Sequence, residues 1–143
     1  KEFKLSNYFK EVAIRPGKPI MFAQFKNKDK SFFGLPGNPI SSAACFKFFV
    51  YPYLRSILNM KNEKPFKARL KNNYKKKKNF TRFLKGKVSS NNKGILEIEV
   101  LKGQESFRIK SFTKANTWCL FKSGKSTFKK GDLIECFNLL GGQ

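Results

Sequence analysis

The chain has 143 residues, with 31 Lys or Arg against nine Asp or Glu, no His, and a formal net charge of +22. That length holds one ordinary domain, or a small domain plus part of another, and its longest apolar stretch, from Ile40 to Leu58, is broken by Lys47, Pro52 and Arg55, which excludes a bilayer-spanning helix. Only five of the cations are Arg, so the charge reads as a solvated lysine surface: specific nucleic-acid binding is not expected, while an anionic ligand is.

The chain opens on Lys1 with no charged-then-apolar leader, so it is expected to be an excerpt of a longer product without a signal peptide. YFKEVAI (8 to 14) partly alternates and predicts a strand, which RPGKP interrupts. IMFAQF (20 to 25) and SFFGL (31 to 35) predict two more strands, joined by KNKDK as a polar hairpin loop. After GLPGNPIS (34 to 41) the spacing predicts one helix from Pro39 to about Leu58, with Ala43, Phe46, Val50, Leu54 and Ile57 on a shared face.

NMKNEKP (59 to 65) is polar and ends in a proline, which marks a boundary, with 61 to 65 as a linker. Beyond it come the short β-like runs FKARL, RFLKGKV, GILEIEVL, SFRIKSF, TWCLF and DLIECFNLL, with SSNNKG as a hairpin loop. Strands at this spacing suggest a small barrel or sandwich. The expected fold class is therefore α/β followed by all-β: an α/β segment over 1–60, then a β domain over 66–143. Cys45, Cys119 and Cys136 are odd in number and far apart, with no histidine to complete a zinc site, and are expected to be reduced, buried thiols of a cytoplasmic protein.

Two proline loops carry the candidate chemistry. Asn38 is a favoured N-cap and Pro39 falls at the first helical position, so half of PGNP is explained as a helix start. Prolines on both sides of Gly37-Asn38 stiffen the loop beyond what capping needs, and Ser41 at such a helix start suits an anion. IRPGKP (14 to 19) holds Arg15 and Lys18 on either side of a Pro-Gly turn, where both cations can meet an oxyanion.

VAIRPGKPIMFAQF followed by FFGLPGNPISSAACFKFFVYPYLRSI resembles the molybdopterin molybdenumtransferases, the MoeA and gephyrin E-domain family, and GQESFRIKSFTKANTWCLF and KKGDLIECF are similar to its later part. The resemblance covers nearly all of this chain and about the last third of a family member. It implies the closing strands and helix of a molybdopterin-binding α/β domain, then a small C-terminal β-barrel domain. It further implies an enzyme that inserts molybdate into adenylylated molybdopterin with loss of AMP, as a cytoplasmic homodimer. A divalent cation, Mg or Zn, would be held mainly by residues upstream.

Carried over by position, Arg15, Lys18 and Pro19 would hold molybdate and cofactor phosphate, Ser41 would contact the anion, and Pro36, Gly37, Asn38 and Pro39 would form a rigid wall. Ser106 would reach in from the barrel. Phe80 stands where relatives often carry Arg, so Lys78, Arg82 or Lys85 would supply any cation needed there, with Arg82 and Lys85 as additional anion contacts.

With no His and no promising pair among its nine carboxylates, the chain offers no general acid or base, and neither Ser41 nor Ser106 has a base nearby in sequence. Its chemistry is electrostatic: a preorganised cationic pocket for an oxyanion and a phosphate. Two alternatives stand beside this: a binding module that sequesters an oxyanion without turnover, and a basic barrel that binds RNA or DNA through aromatics interleaved with cations on RFLKGKV and SFRIKSF.

Overall fold

The computed structural model describes residues 5–26 and 30–139. The tip of the KNKDK loop and the end of the DLIECFNLL run lie outside the described residues. Strands rich in Phe and Tyr build the first sheet, in which β3 (Met21–Phe25) is central between β1 (Leu5–Phe9) and β4 (Ser31–Gly34), both antiparallel to it. The strand expected over 8 to 14 is split: β1 ends at Phe9, and β2 (Ile14–Arg15) leaves this sheet to pair elsewhere.

The predicted helix forms, but in three pieces without a break: α1 (Pro39–Cys45), a π turn (Phe46–Val50) and α2 (Tyr51–Ile57). Pro52 has no N–H to give the carbonyl four residues back, and the Tyr51 N–H reaches back five residues to Phe46 instead. The extra residue in that turn rotates α2 relative to α1. Phe46, Leu54 and Ile57, expected on the inner face, are exposed, whereas Ile40, Ala44, Cys45 and Arg55 are buried. The Tyr53 ring packs on Phe22 and Phe33 of the first sheet, at 5.7 and 5.2 Å between centroids.

The second half closes a five-stranded barrel in the order β7 (Thr81–Ser90), β8 (Leu96–Val100), β5 (Phe66–Leu70), β11 (Leu133–Asn138) and β9 (Thr117–Phe121), with β9 pairing back onto β7. β6 (Tyr74–Lys75) and β10 (Thr127–Phe128) form a small ribbon beside it. The barrel is filled from alternate positions of each strand, among them Leu70, Leu84, Ile98, Phe121, Ile134 and Cys136. Gly86 has to be glycine, because a Cβ there would stand 2.3 Å from the Cys119 sulfur. Cys119 and Cys136, far apart in sequence, are direct partners across β9 and β11.

SFRIKSF does not form the expected strand. Phe107 and Ile109 point to solvent, and the segment is a loop leading into a short helix, α3 (Ile109–Thr113). Residues 61 to 65 carry no regular structure but are tied down: Glu63 pairs with buried Lys47 of the π turn and accepts the Asn138 N–H of β11 at 3.3 Å.

A stacked aromatic core and a shared strand pairing help join the halves. Phe48 of the π turn stacks on Phe83 of β7 at 3.8 Å, with the Trp118 ring edge-on at 6.1 Å, inside a core shared with Ile14, Ile40 and Ala44. And β2 adds itself in parallel to the first residues of β7, Ile14 opposite Thr81 and Arg15 opposite Arg82. Among the described residues no helix is long and apolar enough to cross a membrane.

Candidate functional site

A cleft of about 850 Å³ opens where β2, the start of α1, β7 and the loop from Leu101 to Phe107 meet. Its charge comes first from Arg15 and Arg82, which the β2–β7 register makes direct neighbours. The Arg15 guanidinium lies 4.6 Å from the centroid of Phe80, whose ring face supports the cation. The Arg82 Nε is buried without a hydrogen-bond partner. Among the described residues neither arginine has a carboxylate partner. Two arginines opposite each other in the ladder and lining one cleft put like charges together, and a donor left unmade in a buried position costs free energy, so the pair is complementary to an anion.

Lys18 and Lys102 add two more cations to the lining. Lys18 is paired with Glu11 at 3.0 Å, but both side chains are about half exposed, so an incoming ligand displaces that partner at little cost. Glu105 also lines the cleft, with its carboxylate turned to Arg108 at 3.4 Å. Burial pushes the Tyr74 phenol up, while the nearby Arg82 charge pulls it the other way, and Tyr74 faces the cleft as a neutral donor.

The loop carrying Arg15 and Lys18 is held by its backbone. Gly17 has φ +105°, and a Cβ on it would come within 2.5 Å of the Cys45 sulfur, so α1 and the loop approach as closely as glycine permits. The Cys45 thiol donates to the Gly17 carbonyl at 3.5 Å, and burial pushes its pKa up to about 11.

Of the residues singled out in sequence, Arg15, Lys18, Pro19, Ser41, Arg82 and Ser106 come together in the lining. Pro36, Gly37, Asn38 and Pro39 do not. Their geometry is that of a helix start: Ser42 donates its N–H to the Asn38 carbonyl at 2.9 Å and its hydroxyl to the Pro36 carbonyl. The Asn38 side chain makes no capping bond, and its Oδ1 is buried without a partner.

Lys85 is not a lining residue either: it is 1 % exposed, and its ammonium donates to the carbonyls of Gly103, Glu105 and Arg108. Sequence reasoning missed Tyr74, Lys102 and Gln104 as lining residues. The only signal for Gln104 was its place in the GQ pair, and nothing separated Tyr74 or Lys102 from the surrounding lysine-rich loops.

Among the described residues no group of three or more His, Cys, Asp or Glu gathers as a metal site, so the residues present do not fit a resident divalent cation. Phe83 and Leu84 are buried, which removes the RFLKGKV run as a platform for stacking bases.

Comparison with known proteins agrees with this architecture. Residues 3–56 match the family described as a probable molybdopterin binding domain, and residues 67–139 match the MoeA C-terminal region, domain IV. The molybdopterin molybdenumtransferase of Haemophilus influenzae is 32% identical over 139 residues, covering 94% of this chain and 34% of that protein. That of Synechococcus elongatus is 28% identical over 131 residues, covering 92% and 31%. A crystal structure of the molybdopterin biosynthesis moeA protein from Pyrococcus horikosii superposes with a TM-score of 0.72 at 26% identity, over 95% of this chain and 32% of that one. The chain thus spans about a third of the length of the curated relatives it matches. A barrel matched as the MoeA C-terminal region, annealed strand to strand onto a matched molybdopterin-binding segment, makes this chain a member of the MoeA family.

Proposed function

We propose that the cleft binds molybdate and the phosphate of adenylylated molybdopterin, as the cationic part of an enzyme that inserts molybdenum with loss of AMP. The observation that carries this reading is the Arg15–Arg82 pair, side by side in strand register, without carboxylate partners, one with a buried and unpartnered Nε. Arg15, Arg82, Lys18 and Lys102 neutralise the anions, and the Ser41 and Ser106 hydroxyls orient their oxygens. Glu105, the one carboxylate among the described lining residues, is turned to Arg108, and burial keeps the Tyr74 phenol protonated, so this segment holds and polarises while proton transfer and phosphoanhydride cleavage belong to groups elsewhere in the enzyme.

The reading includes the two-part organisation on either side of 61 to 65, a divalent cation held outside these residues, and a cytoplasmic homodimer. The relatives' names support the reaction, and the charge and size of the cleft support the substrate class.

Isothermal titration of the chain with sodium molybdate tests it. Arg82→Gln and Arg15→Gln are each expected to weaken binding about tenfold, the loss of one charge-assisted contact. Unchanged affinity in both variants would remove the cleft as the molybdate site. An oxyanion-sequestering module would bind equally well yet leave cofactor maturation intact when Arg82 is replaced in the complete protein. A nucleic-acid barrel would instead bind single-stranded oligonucleotides with a steep salt dependence.

A further inference from the structure

Among the described residues Lys85 is the most deeply buried cation, and it takes no part in any ion pair there. It sits on β7 under the loop from Leu101 to Arg108, and its Nζ donates to the carbonyls of Gly103 at 2.7 Å, Glu105 at 3.2 Å and Arg108 at 3.3 Å. An ammonium has three protons to give, so all are used, and none remains for a ligand. Gln104 fastens the same loop from the other side: its amide accepts the Lys85 N–H at 2.9 Å and donates to the carbonyls of Lys85 and Leu101, both at 2.7 Å.

Peptide planarity gives this arrangement a second face. In a trans peptide the N–H of one residue is antiparallel to the carbonyl of the residue before it. With the Gly103 and Glu105 carbonyls turned inward onto Lys85, the N–H groups of Gln104 and Ser106 are turned outward. Both residues line the cleft, and among the described residues neither N–H has a hydrogen-bond partner. Main-chain N–H groups converging on one concavity bind anions without any side-chain charge.

We propose that Lys85 is a positioning residue for the cleft: by gathering the loop carbonyls beneath it, it presents the Gln104 and Ser106 main-chain N–H groups to a tetrahedral oxyanion. The inference rests on the reading of the cleft as an oxyanion site and adds a neutral, directional component to it. It gives the lysine a role at one remove from the ligand, in place of the direct contact expected from sequence. Loss of the ammonium takes one of two donors from each carbonyl, leaving the Ser111 hydroxyl to serve Gly103 and Arg108 and the Arg108 N–H to hold Glu105, so the loop peptides loosen and the two outward donors lose their common aim.

The test is an NMR titration of the full, nitrogen-15-labelled chain with sodium molybdate. The amide proton resonances of Gln104 and Ser106 are expected to move downfield and saturate with the dissociation constant found by calorimetry. Lys85→Met is expected to weaken molybdate binding by about tenfold or more, and Lys85→Arg, which restores a cation with inward donors, to recover most of it. If molybdate binds and shifts the Arg15 and Arg82 side-chain resonances while the two amides stay still, this inference falls and the oxyanion cleft stands. If molybdate does not bind at all, both fall. The wild-type titration decides the matter even if Lys85→Met does not fold.

Discussion

Cys45 and Gly17 show how little space separates the helix from the arginine loop. The thiol is fully buried against the Gly17 carbonyl, and there its pKa rises from 9.0 to about 11 because burial disfavours the thiolate. The folded chain thus holds this proton more tightly than the unfolded one, so the stability it contributes is complete below pH 9 and is lost as pH rises from 9 to 11. Urea midpoints measured across that window are expected to fall more steeply for the wild type than for Cys45→Ala. The difference should amount to roughly 2 to 3 kcal/mol, and parallel slopes would show that the thiol does not ionise in place. The glycine at 17 was legible as part of a turn, but its tightest neighbour was not, because residue 45 is distant in sequence and only the folded chain sets the contact.

At the level of elements, the barrel strands were the most legible part. Ile98 is buried between exposed Glu99 and half-buried Glu97, as alternation requires, and TWCLF and LIECFN read as strands because they are strands covered on one face or both. Two elements escaped that logic. The helix kept its place and lost its phase, because Pro52 shifts the hydrogen bonding by one residue and so turns Leu54 and Ile57 outward. SFRIKSF alternates like a strand but lies over Lys85, whose demand for carbonyls outweighs the pattern and curls the chain into loop and helix.

The π turn has its own consequence: it brings Phe48 onto Phe83 and beside Trp118. Phe48→Ala is expected to destabilise the protein by about 3 kcal/mol, through lost burial and the cavity left behind. Trp118 is the chain's one tryptophan, so its emission is expected to shift to longer wavelength at lower urea in this variant. An unchanged midpoint would mean that the stack does not hold the halves together.

Across the whole molecule, charge outweighs every other surface property. Five ion pairs among the described residues engage five of the nine carboxylates, which leaves most of the 31 cations to repel one another. Raising NaCl from about 20 to 200 mM shortens the screening length from roughly 20 to 7 Å, and the melting temperature is expected to rise by several degrees. Anion binding in the cleft is expected to weaken over the same range, so melts and titrations in one salt series should move in opposite directions. A melting temperature that falls with salt would place the net repulsion elsewhere than in the folded state. Composition made this charge legible at once, but it did not show where the charge becomes useful: Arg15 and Arg82 are separated by most of the first half of the chain, and strand pairing alone makes them neighbours.

That pairing bears on how the protein can change over generations. Hydrogen bonds between the β2 and β7 backbones set the spacing of the two arginines, and those bonds are indifferent to which side chains surround them. The surrounding surface can change, the Phe80 ring under Arg15 included, while Arg15 and Arg82 stay opposite each other in the ladder. The placement of the two arginines therefore depends on the strand register and not on the side chains around them.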